Sequence, residues 1–294
     1  MGRNDYFDVI VEDQEYPNLG VSTYKDRKVK FKGGIVGQKV SVQAQRRRPD
    51  SIKAKLLEVL EPSHLEVLEG CPKAGICGGC TYQKIEDSVE LELKYKMIKK
   101  LYSSLEYDQE NIKINPSPIN KAYRNKMEYT FGDEYKDGPI TLGLHRKNRF
   151  YEIVNTVGCN IVNDGFEQIR IGVMNFFQEK GFKAYHKKKE EGALKFFIVR
   201  YSFRDDQYMV NLVTRDHETI TDDLLNEMVD HIKGLEIGPK VVSFFQTISN
   251  ATADAVKPER IIHLAGQDHL VEEINGLTFK ISPFSFFQPN PKRS

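Results

Sequence analysis

Cysteine is scarce in this chain. Four occur in 294 residues, three of them (Cys71, Cys77 and Cys80) inside one short run, with Cys159 alone downstream. So few thiols make a poor disulfide framework, and their clustering points to metal ligation in a reducing compartment. Long apolar runs are missing too: nothing approaches the ~20 consecutive apolar residues that a membrane helix needs. The opening MGRNDYFDVIVEDQ has no apolar stretch behind a basic start, so no secretory leader is read there. A cytoplasmic protein without membrane contact is expected. Net charge is nearly absent, +1 at neutral pH, and gives no general attraction to nucleic acid. No glycine-rich turn opens a helix behind a strand, as a Rossmann-type cofactor site requires; Gly33-Gly34 sits between strand-like runs.

What is present is folded protein of ordinary make-up. At 39% hydrophobic and 29% charged, with 17 Phe and 14 Tyr, the chain is too aromatic for disorder, and its length predicts two or three units. The neutral average hides a basic block. Residues 21–55 carry 11 Lys and Arg against 2 acids, an electrostatic footprint for phosphate. Within it Arg46, Arg47 and Arg48 precede Pro49 and are expected to project from a loop.

Alternation broken by turn residues reads as strands at 6–11, 28–31 and 38–44, a small β-barrel over residues 1–62. Ile85, Val89, Leu93, Met97 and Leu101 form an i, i+4 stripe that predicts an amphipathic helix with a basic end. Beyond residue 120, strand-like runs at 126–131, 140–144, 196–201 and 208–214 accompany helical patterns at 166–180 and 220–232, predicting an α/β unit on a sheet. The charged run at 186–191, HKKKEE, reads as an exposed loop tip. The expected fold class is α+β and multi-domain: a barrel over 1–62, an α/β central unit over 63–281, and a short terminal stretch over 282–294.

The cysteines follow C-x5-C-x2-C with the fourth thiol 79 residues later. Such a set of soft thiolates suits tetrahedral zinc or a 4Fe–4S cluster. Gly75, Gly78 and Gly79 allow close backbone approach to a bulky inorganic core, and a single C-x2-C pair is less typical of zinc, so iron–sulfur stands first. Radical S-adenosylmethionine enzymes space their thiols differently.

Two resemblances add to this. The run from Gly20 through Ser63, GVSTYKDRKVKFKGG onward, resembles a TRAM domain, an OB-like RNA-binding barrel. CPKAGICGGCTYQKI, VGCNIV around Cys159, and SPFSFFQPN at 282–290 resemble the iron–sulfur branch of the RNA (uracil-5-)-methyltransferases. The resemblance implies RNA, ribosomal or transfer, as substrate and S-adenosyl-L-methionine as methyl donor. It implies Cys71, Cys77, Cys80 and Cys159 as ligands of a structural 4Fe–4S cluster, Gln288 as a contact to S-adenosyl-L-methionine, and Phe286 as a stacking partner for a base. Arg46, Arg47, Arg48, Arg124 and Arg146 are assigned to RNA. The family uses a further cysteine as nucleophile, and with all four thiols claimed no catalytic residue is expected in this chain. The chain is therefore expected to end as the Rossmann-like methyltransferase domain begins, to be inactive alone, and to be monomeric unless a separate polypeptide supplies that domain. A standalone RNA-binding protein with a structural metal is the other reading.

Overall fold

From Tyr6 onward each stretch of alternating apolar and polar residues becomes a strand in the computed structural model, which describes residues 5–105, 108–135, 138–186, 189–252 and 256–293. Strands β1 (Tyr6–Ile10), β2 (Asp13–Glu15), β3 (Leu19–Tyr24), β4 (Arg27–Lys32), β5 (Lys39–Arg47) and β6 (Ser51–Glu61) make one sheet in the order β1-β5-β6-β4-β3-β2. Neighbours run antiparallel except β4 and β6. Period-2 alternation puts one side of each strand inward, where Phe7, Val29, Phe31, Val42 and Ile52 share a core. Close packing demands glycine at position 20: a Cβ there would stand 2.6 Å from the Gly33 carbonyl oxygen.

Helix α1 (Asp87–Tyr102) belongs to the same unit, which holds Met1–Gly70 and Cys80–Pro116. Its predicted stripe is buried at Leu93 and Met97 but leaves Leu101 half out. An i, i+4 row drifts by about 40° per step around the helix, so its far end turns away from the sheet. Lys100 pairs with Asp13, and Glu15 accepts from Lys28 at 2.8 Å and from Lys30. Those two lysines hold the Glu15 carboxyl down at about 2. The charges of this strongly basic segment are thus partly matched from within.

The second unit holds Cys71–Gly79 and Ser117–Ser294. Strands β7 (Lys126–Asp133), β8 (Ile140–Arg146), β9 (Arg149–Val154), β10 (Leu194–Ser202), β11 (Gln207–Thr214), β12 (Lys240–Ile248) and β13 (Arg260–Gly266) form a sheet in the order β13-β12-β11-β10-β7-β8-β9. Only β11 and β12 are parallel, joined through helix α3 (Asp222–Lys233). The expected α/β unit is therefore corrected to a mostly antiparallel α+β sheet. A local pattern sets strand period, whereas pairing direction depends on connections made elsewhere.

Helix α2 (Asp164–Glu179) packs on one face of this sheet, with Phe166 edge-on to Tyr208 at 5.5 Å. On the next residue, Met209, the strand turns to the opposite face, where the hairpin β14 (Leu270–Ile274) and β15 (Leu277–Ile281) contributes Leu270 and Ile281 to a second core. Both faces are covered, which explains the near-continuous apolar run of β10. Within the 186–191 run, 187 and 188 lie outside the described residues, and His186 bridges Glu191. Among the described residues no helix is long and apolar enough to cross a membrane.

Candidate functional site

The segment after β15 lies on the hairpin-bearing face of the second sheet without joining it as a strand. Arg200, two residues before the end of β10, is 5% exposed, and its guanidinium donates to the carbonyls of Pro283 at 3.0 Å and Ser285 at 2.5 Å. Asn125, just before β7, donates its side-chain amide to the Gln288 carbonyl at 3.0 Å and its backbone N–H to the Pro289 carbonyl at 2.9 Å. Burial pulls the Arg200 guanidinium down to about 10, which still leaves it charged at neutral pH.

Between these two attachments the aromatic side chains divide. Phe284 packs with Phe196 and Ile198, and Phe287 packs against the Leu270–Ile281 core. Phe286 is 85% exposed, and Gln288 is exposed as well. The two residues that resemblance singles out are thus both turned to solvent, while their aromatic neighbours anchor the backbone beneath them. Sequence reasoning missed Arg200 and Asn125. The signal was an arginine inside the apolar run LKFFIVRYS, where an unpaired charge would be costly.

The cysteine segment docks on β8. Gly78 donates its N–H to the His145 carbonyl at 2.9 Å, Lys147 donates to the Ile76 carbonyl at 2.8 Å, and Cys77 bridges Arg146. Downstream, Gly158 meets the Pro72 ring so closely that a Cβ would stand 2.9 Å from its Cγ, and its φ of +80° also favours glycine. Residues adjoining Cys71 and Cys159 are therefore in contact. Gly158 donates its N–H to Glu167 of α2 at 2.8 Å. Arg170, 1% exposed, lies 3.9 Å from the other Glu167 oxygen and donates to the Leu142 carbonyl of β8 at 2.7 Å.

Cys71 is buried, Cys77 and Cys159 are half-buried, and no disulfide joins the four cysteines. Burial pushes the Cys77 thiol up, an effect eased by the Gly79 N–H at 3.4 Å from its sulfur and reinforced by Cys71. Cys80 falls with the first unit. Among the described residues no three Cys, His, Asp or Glu side chains converge on a common point suited to a metal ion. Segments 71–79 and 158–159 meet at Pro72 and Gly158.

The expected RNA-binding arginines are placed differently from one another. Arg46 in β5 and Arg48 just past its end are exposed, but the strand runs through Arg47, which pairs with Asp5 at 3.3 Å. The expected loop is thus corrected to a strand end, and its alternation turns Arg47 away from the other two. Arg124 is half-buried and donates from Nε to the Lys126 carbonyl at 3.0 Å. Arg146 reaches Glu152 at 3.4 Å, and Arg149 shares that carboxylate at 2.9 Å.

No family model matches the chain. It is 37% identical over 293 residues to an uncharacterized RNA methyltransferase of Clostridium acetobutylicum, covering 99% of this chain and 64% of that protein. A protein of the same description from Caldanaerobacter subterraneus is 36% identical over 291 residues, again covering 99% of this chain and 64% of the relative. The chain thus spans 64% of the length of these curated relatives. Among solved structures, the Pyrococcus abyssi tRNA (uracil-54, C5)-methyltransferase in complex with S-adenosyl-L-homocysteine matches with a TM-score of 0.69 at 20% identity. That match covers 97% of this chain and 62% of the other. At that identity the likeness establishes fold. It narrows the expectation that the Rossmann-like methyltransferase domain is essentially absent only to this extent: 97% of this chain shares the fold of 62% of a methyltransferase chain.

Proposed function

We propose that this chain acts in S-adenosyl-L-methionine-dependent methylation of uracil C5 in RNA, and that it engages the RNA. The observation that carries this reading is the exposed Phe286 ring, standing out between packed aromatic neighbours beside an exposed Gln288. An aromatic face offered to solvent suits a base taken out of its stack, a contact worth about 1–3 kcal/mol. Similarity to RNA methyltransferases supports the reaction class. The solved relative's substrate and its bound S-adenosyl-L-homocysteine support uracil C5 and the methyl donor.

In this reading Phe286 stacks on the target base or its neighbour and Gln288 contacts the donor, which supplies the methyl group when bound. C5 of uracil is a weak nucleophile until a thiolate adds to C6; C5 would then take the methyl group from the donor's sulfonium, and removal of the C5 proton by a carboxylate would expel the thiolate from C6. Neither role is assigned to a residue of this chain. The four cysteines are assigned instead, as thiolates, to a structural 4Fe–4S cluster, with Cys80 one peptide bond beyond Gly79. The soft donor set and the Pro72–Gly158 contact support that assignment. The cluster would fasten the loop on β8 to the segment before α2. The first unit is read as a TRAM-like barrel binding phosphates.

Deleting the encoding gene is expected to remove 5-methyluridine from one position of cellular RNA, and restoring the gene to return it. Mass spectrometry of nuclease-digested RNA reads the result. Unchanged 5-methyluridine would leave the standalone RNA-binding reading in its place. For the barrel, Arg46→Ala with Arg48→Ala is expected to lower the slope of log affinity against log salt by about 0.7–0.9 per lost phosphate contact. Arg47 is left intact because it pairs with Asp5. A salt slope equal to that of the parent protein would remove these two residues from the interface.

A further inference from the structure

We propose that Arg200 and Asn125 are positioning residues for RNA binding: they hold the backbone on either side of Phe286 so that its ring is fixed outward before a base arrives. This rests on the reading of Phe286 as a stacking residue and deepens it.

The geometry points to a clamp. Residues 283–289 run beside the sheet, and carbonyls at 283, 285, 288 and 289 accept from Arg200 and Asn125. Arg200 grips the chain before Phe286 and Asn125 grips it after. The two residues come from neighbouring strands, since Arg200 pairs with Lys126 and Tyr201 donates to the Asn125 carbonyl at 2.9 Å. They therefore share a rigid base. Phe284 and Phe287 pin the segment inward at their own positions, leaving one aromatic ring to protrude.

Core packing alone does not call for an arginine at this position. Arg200 shares its face of β10 with Phe196 and Ile198, and an apolar residue of similar volume would fill that place without the cost of burying a charge. What the guanidinium adds is a planar fork able to satisfy two carbonyls two residues apart, which a lysine ammonium reproduces only in part. A ring already held in its bound orientation loses less freedom when a base stacks on it.

The chain contains no tryptophan, so Phe286→Trp introduces a single indole reporter. Two quantities are measured in that background: fluorescence anisotropy of the indole in free protein, and its quenching by oligouridylate. Adding Arg200→Met is expected to lower the anisotropy and to weaken oligouridylate binding about five- to tenfold. Arg200→Lys should recover part of both. Anisotropy and affinity equal to those of the Phe286→Trp protein overturn the proposal. If oligouridylate fails to quench the parent reporter, the stacking reading falls, while anisotropy still decides whether the clamp orders the ring. Should Arg200→Met give no cooperative thermal transition, Asn125→Ala decides instead. It removes one side-chain donor and keeps the backbone bond to Pro289; a two- to threefold weakening with lowered anisotropy is expected, and no change in either overturns the clamp.

Discussion

Gly143→Ala is expected to cost the protein more than about 3 kcal/mol, a loss at the upper end of what one added methyl group causes. The added Cβ would stand 1.9 Å from the Val154 carbonyl oxygen and 2.8 Å from its carbon. Both partners are backbone of paired strands, Leu144 lying opposite Val154, so no side chain can swing aside to make room. Either β9 leaves β8 or β8 shifts against β7, where Gly143 faces Thr130. The same strand receives the cysteine segment at His145, and the damage should spread there. Urea unfolding followed by circular dichroism measures the effect. Gly75→Ala is the control, because a Cβ there meets nothing within 4 Å and only its φ of +80° opposes the change. That strain amounts to about 1–2 kcal/mol. If the two variants proved equally stable, the tight fit at Gly143 would be refuted.

Cys159→Ser is expected to abolish bound iron, from about four atoms per chain to nearly none, together with the broad visible absorbance of a cluster. The thermal midpoint should fall by several degrees, since metal binding energy is also folding energy. The prediction follows from placement. Cys159 lies next to Gly158, which is wedged against Pro72 and tied to Glu167, so the cluster would reinforce the junction of two segments distant in sequence. Iron and acid-labile sulfide, measured on anaerobically purified protein, decide it. A brown and fully stable Cys159→Ser protein would sink the ligand assignment. Zinc at about one per chain in the unaltered, colourless protein would give the thiolates to a different metal.

Much of the fold was legible because its period is local. The alternation YFDVI became β1 and KVSVQA became most of β5, while the apolar runs at 196–201 and 208–214 became β10 and β11. Less legible were β13, whose residues are mostly exposed or half-exposed, and the hairpin β14–β15, whose second strand shows four exposed residues in five. β13 has no buried side to announce it, and the buried side of β14 carries a glutamate, Glu272, beside Leu270. The parallel pairing of β11 with β12 was illegible because direction follows from the crossover through α3.

The candidate site divides in the same way. Sequence alone determined the cysteine set, its glycine-bearing loop, the basic block and the FSFFQPN motif, because each is a statement about residue types and spacing along the chain. Tertiary structure decided that Phe286 stands out while Phe284 and Phe287 turn in, that Arg47 is taken up by Asp5, and that Arg200 and Asn125 matter at all. Three phenylalanines within four residues are equally apolar, and which one meets solvent is set by donors whose bonds span 83 and 163 residues of sequence. Composition fixes what a segment can bind; only long-range hydrogen bonds and packing fix which way it faces.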